Sequence, residues 1–143
     1  HATPIRPVDL KKLRTTARLP DAYVAFLARF GGARCRLWSH DHLAVEQAHL
    51  PKMQRKARAL GDRVAQRMPT GAFAILSRLD AVFHYLPAQG GVDEPVHVLI
   101  EDHPERSGPW FASVLAWVDD LAEGAIGAWE SGYFDTNPSG TQP

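Results

Sequence analysis

The sequence predicts an α+β domain with helices at its N-terminus, a central and mostly antiparallel sheet, and an amphipathic helix at its C-terminus. Three observations carry this. Apolar residues recur with helical spacing up to about residue 68. Between residues 72 and 100 the period shortens to brief apolar runs separated by turn formers, and from Phe111 the helical spacing returns.

The elements follow in order. In "VDLKKL" Asp9 is a candidate cap, and Leu10, Leu13 and Ala17 are spaced for one face. "LPDAYVAFLARFGG" predicts a second helix starting at Pro20, where a missing N–H costs nothing, with Asp21 at the positive end of its dipole. Tyr23, Phe26, Leu27 and Phe30 form its buried stripe, and Gly31 or Gly32 supplies a left-handed C-cap. "ARCRLW" alternates as a strand would, leaving Trp38 on the wet face. Pro51 opens a third helix with Met53, Ala57, Leu60, Val64 and Met68 inside and basic residues elsewhere, weakened midway by Gly61. "AFAILSRL" and "AVFHYL" form a hairpin turning near Asp80, "PAQGGVDE" is a loop, and "PVHVLIED" is a strand with Val96, Val98 and Ile100 on one face. The last helix carries Phe111, Leu115, Val118, Ala122, Ile126 and Trp129 as its stripe.

At 143 residues the chain suits one domain, which at that size buries roughly 70% of the surface of the unfolded chain. Its 45% hydrophobic and 22% charged residues exclude disordered and fibrous classes. The expected boundaries are an N-terminal extension over 1–7, in which His1 reads as a cloning remnant, a single domain over 8–134, and a flexible tail over 135–143. One cysteine, Cys35, and the lack of a leader or a long apolar run lead to an expectation of a cytoplasmic protein with no membrane contact. The net charge of zero conceals a segregation: residues 1–67 carry +9 and residues 68–143 carry −9. Either the halves mingle and neutralise, or the molecule has a basic and an acidic face.

Two runs resemble a known family. Leu19, Pro20, Asp21, Tyr23, Phe26, Leu27 and Gly32 are similar to the leucine-proline, acidic, aromatic, Phe-Leu and glycine pattern of the SUKH superfamily, and Ala112, Ser113, Trp117, Val118 and Leu121 resemble its entry to a final helix. That superfamily takes in bacterial toxin-immunity proteins and the fungal Smi and Knr regulators. Val114 stands where the family often has phenylalanine, and in "SRLDAVFHYL" only Asp80 and Tyr85 match its turn and tyrosine-bearing strand. The resemblance implies a non-enzymatic protein-binding module, an immunity protein that neutralises a cognate bacterial toxin domain such as a nuclease. The alternative it implies is a regulatory interaction domain of the Smi/Knr type.

A catalytic reading has one candidate. His40 and His42 in "SHDH" have spacing compatible with zinc, with Glu46 or His49 as a further ligand, and would make the chain a metal-dependent hydrolase. No Cys pair or His-Glu-x-x-His motif accompanies them, so the expectation is no metal, no cofactor and no enzyme. His84 and His97 read as strand histidines, and the basic helix from Lys52 to Arg67 reads as a solvated face, giving no direct nucleic-acid binding. The expected partner-binding residues are Asp93, Glu94, Glu101, Asp102 and Glu105, whose carboxylates would mimic a phosphate substrate, with Trp110 and Trp38 as aromatic anchors.

Overall fold

Pro7 occupies the first helical position of α1 (Pro7–Thr16), and the cap residue is Arg6 rather than the expected Asp9, which lies inside the first turn and pairs with Arg6 Nε through Oδ2 at 2.8 Å. The computed structural model of the protein describes residues 4–31, 41–43 and 50–130. Ile5 is buried and its N–H donates to the Leu27 carbonyl at 3.1 Å, so the fold begins ahead of residue 8.

Helix α2 (Asp21–Phe30) buries Tyr23, Phe26 and Leu27, as its stripe predicts, with Pro20 at the cap. Its first amides are satisfied from a distance: Asp21 and Ala22 donate to the carbonyls of Gly91 and Val92 at 2.9 and 2.8 Å. Gly31 is not left-handed, as its φ is −80°. Glycine is needed there for a close approach, because a Cβ would stand 2.5 Å from the Leu27 carbonyl oxygen.

Strands β1 (Asp41–Leu43), β2 (Phe73–Arg78), β3 (Val82–Leu86), β4 (Val96–Ile100) and β5 (Gly108–Phe111) pair antiparallel in the order β1-β2-β3-β4-β5. The hairpin and the β4 run lie where the sequence places them; the strand expected over "ARCRLW" lies outside the described residues. β5 falls in a stretch to which the sequence assigns no element, and it takes in Phe111, which the sequence places in the last helix.

Helix α3 (Leu50–Arg63) lies against β2. Beyond the short β1, the Gln54 side-chain amide takes the place of a strand: it donates to the Ala74 carbonyl and accepts from the Ala74 N–H, both at 2.8 Å. The helix stops earlier than its apolar stripe suggests. Gln66 N–H reaches the Gly61 carbonyl at 2.8 Å and Ala65 N–H reaches Asp62, the paired bonds of a Schellman motif, with Ala65 at φ +58° where glycine is usual. An Ala65→Gly substitution is expected to stabilise the protein by about 1 kcal/mol by relieving the left-handed alanine, measured as a higher denaturant midpoint with unchanged slope.

Helix α4 (Val114–Glu130) starts later than the sequence suggests and turns a different stripe inward: Val114, Trp117 and Leu121 are buried, whereas Leu115 is 65% exposed and Ile126 56%. Trp117 is the hub. Its ring meets Tyr23 and Phe26 of α2, at centroid distances of 6.4 and 5.3 Å, and its indole N–H donates to His84 Nδ1 at 2.9 Å. One contiguous core cluster runs from Ile5 to Leu121. Among the described residues no helix is long and apolar enough to cross a membrane.

Candidate functional site

Strand pairing sorts the sheet into rows. Leu76, His84 and Val98 are cross-strand neighbours on one face, and Arg78, Val82 and Ile100 form the next row on that face. Trp117 of α4 covers the first row through His84. Among the described residues nothing covers the second row, and between it and α4 runs a trough of about 850 Å³. Its floor is Val82, Val98, Ile100 and Phe111; Asp120, Leu121, Glu123 and Gly124 of α4 form one wall.

Two exposed apolar side chains line this trough. Trp110 is 53% exposed, yet its ring is held in place because the indole N–H donates to the Arg106 carbonyl at 2.7 Å, at the 3₁₀ turn Pro104–Arg106. Leu79 is 69% exposed and sits in the β2–β3 turn, where it and Asp80 have φ values of +53° and +55°. A turn with two left-handed central residues favours Asn-Gly or Asp-Gly, so a leucine there is unusual. Ser77 Oγ donates to Asp80, which also pairs with Lys56.

The expected partner-binding acids separate into two groups. Glu101, Asp102 and Glu105 are exposed, in the segment that joins Ile100 of the trough floor to Trp110. Glu101 pairs with Arg63 at 3.3 Å, and Lys56 pairs with Asp80, so the basic and acidic halves of the chain meet here. The Glu105 carboxyl is held below the usual carboxylate range by its own backbone N–H and by His103. Glu94 is turned inward. At 9% exposure, its carboxylate accepts the N–H groups of Ala88 and Gln89 at 2.7 and 3.1 Å. Asp93 Oδ1 accepts from Val114 at 2.7 Å and so caps α4 from 21 residues away, and also takes the Glu94 N–H. These two carboxylates hold the 87–95 loop that caps α2.

Trp38, His40, Cys35, Glu46 and His49 lie outside the described residues, and His42 is placed only by its backbone in β1, opposite Ser77. Among the described residues, no three His, Cys, Asp or Glu side chains come together as a metal site requires. His97 on β4 stacks on Tyr85 at 5.1 Å, and burial pushes its pKa below the ordinary 6.5. The folded state therefore holds fewer protons than the unfolded chain just below pH 6.5, so stability is expected to fall as pH drops through that range and level off below the folded pKa. A His97→Gln variant should flatten that part of the pH–stability curve.

Sequence reasoning missed Asp120, Glu123, Leu79 and Phe111 as parts of a site. Only the two left-handed turn residues carry a local signal, and it is visible only in the backbone. Comparison with protein-family models, with curated proteins and with solved structures returned no match.

Proposed function

We propose that this chain is a protein-binding module of the immunity type, acting in the cytoplasm by occupying and neutralising a cognate toxin domain. The observation that carries this reading is the trough: an apolar floor open to solvent, a fixed and half-exposed tryptophan beside it, and carboxylates around it. Such a surface has the composition of an interaction hot spot, in which an aromatic anchor supplies affinity and surrounding charge supplies steering and selectivity. The resemblance of residues 19–32 and 111–124 to the SUKH pattern points the same way.

Glu101, Asp102 and Glu105, together with Asp120 and Glu123 of α4, present negative charge of the kind that a phosphate-binding cleft accepts, which suits a nuclease as the toxin. The neighbouring reading frame is expected to encode a large secreted protein with a toxic C-terminal domain, and the test is to express that domain with and without this chain. Rescue of growth, and a complex whose association rate falls with added salt, are expected. A toxic domain that kills equally in both cases and forms no complex would contradict the reading.

A further inference from the structure

We infer that the trough seats one amphipathic helix of the partner, with an apolar face toward the sheet and lysine or arginine along the edge beside α4. This rests on the protein-binding reading and specifies the element that is bound. Three features select it.

The first is charge. The α4 wall carries Asp120 and Glu123, and Arg78, the one lysine or arginine among the described residues that line the trough, already has an interaction of its own. An apolar segment with a basic edge therefore meets apolar floor and carboxylate wall together, whereas an acidic segment would face like charge.

The second is shape. Asp120, Gly124 and Gly127 recur at i, i+4 and i+7 on α4, and a Cβ at Gly127 would meet nothing within 4 Å. A helix lying beside α4 can approach closely along this line and complete the layer on the open row of Val82 and Ile100. Strand addition is the competing mode. The edge strand that borders the trough, β5, is poorly suited to it: Pro109 offers no N–H, and the register shifts between Val96 and His97.

The third is Leu79. An exposed leucine at φ +53° pays a conformational cost with no internal packing to offset it, and it lines the trough. Leu79 is the apolar contact residue for the bound helix.

The test uses the full chain and three synthetic probes: a 14-residue helix of leucine and lysine with one apolar face, its counterpart with glutamate for lysine, and a 14-residue lysine oligomer. Backbone amide shifts report the site. The leucine–lysine helix is expected to bind and to move amides at 78–82, 98–100, 110–111 and 120–124. Its affinity should drop at least tenfold in the double variant Asp120→Lys/Glu123→Lys and hold in Glu130→Lys. Leu79→Asn should raise the thermal midpoint, because asparagine tolerates the left-handed turn, while weakening the probe about tenfold. Equal binding of the glutamate helix or the lysine oligomer, or shifts confined to α1 and α3, would overturn the inference. So would a cognate toxin domain that binds the double variant as tightly as the wild type, an outcome that leaves the protein-binding reading standing. A toxin domain that fails to bind the wild type would instead overturn that reading.

Discussion

Replacing Trp117 with alanine is expected to destabilise the protein by about 3–5 kcal/mol, the range for a fully buried large aromatic residue. The loss has two parts. The cavity forms where α2, α4 and the sheet converge, so Tyr23 and Phe26 lose their ring contacts at once. His84 also loses the indole N–H that its Nδ1 accepts. A domain of this size has about 5–15 kcal/mol of total stability, so the variant should lose a large fraction of it. Trp117→Phe separates the parts: it keeps most of the volume and loses the hydrogen bond, with an expected cost of about 1–3 kcal/mol. Chemical denaturation of both variants checks this, and a midpoint unchanged in Trp117→Ala would mean that α4 does not pack as described.

The second large effect is at Glu94. Its carboxylate is the acceptor for two amides of the 87–95 loop, and hydrogen bonds to a charged acceptor contribute about 1.5–3 kcal/mol each. Glu94→Ala leaves both donors without that acceptor. Ala88, one of the two, is buried and held at φ +58°. A loss of about 3 kcal/mol is expected, accompanied by faster amide exchange at Asp21 and Ala22, whose partners are the carbonyls of the same loop. Asp93→Ala should cost about 1 kcal/mol through the lost cap of α4. Charge reversal at Asp93 or Glu94 therefore reports on folding, whereas substitutions at the exposed Asp102, Asp120 and Glu123 are the ones suited to testing the proposed binding.

The elements differ in how legible they were. Helix α2 was plain because a proline, an acidic first turn and a single aromatic stripe agree, and nothing on its opposite face competes. Helix α4 was legible as a helix but not in its phase. Leu115, Val118 and Ala122 are spaced as well as Val114, Trp117 and Leu121, and Asp119, Asp120 and Glu123 exclude only part of the circle. Strand β5 was hidden by its own edge devices: a Gly-Pro step reads as loop, yet an outer strand can do without the missing donor.

The site was less visible than the fold. "GGVDEP" reads the same whether its carboxylates face water or backbone amides, and the structure turns Glu94 to amides. The trough joins residues 78–84, 98–100, 110–111 and 120–124, and no local pattern announces such an assembly. Trp110 was legible as a candidate anchor by type and neighbourhood, and the structure adds the bond from its indole to the Arg106 carbonyl, which sequence could not show.

The most direct measurement is hydrogen–deuterium exchange on the full chain, free and bound to a toxin domain whose toxicity it is found to suppress. If the trough is the docking site, protection on binding will concentrate in residues 78–82, 98–102, 108–111 and 120–124, with α1 and the outer face of α3 unchanged. Protection confined to the basic surface of α1 and α3, with the trough segments exchanging as in the free protein, would contradict it.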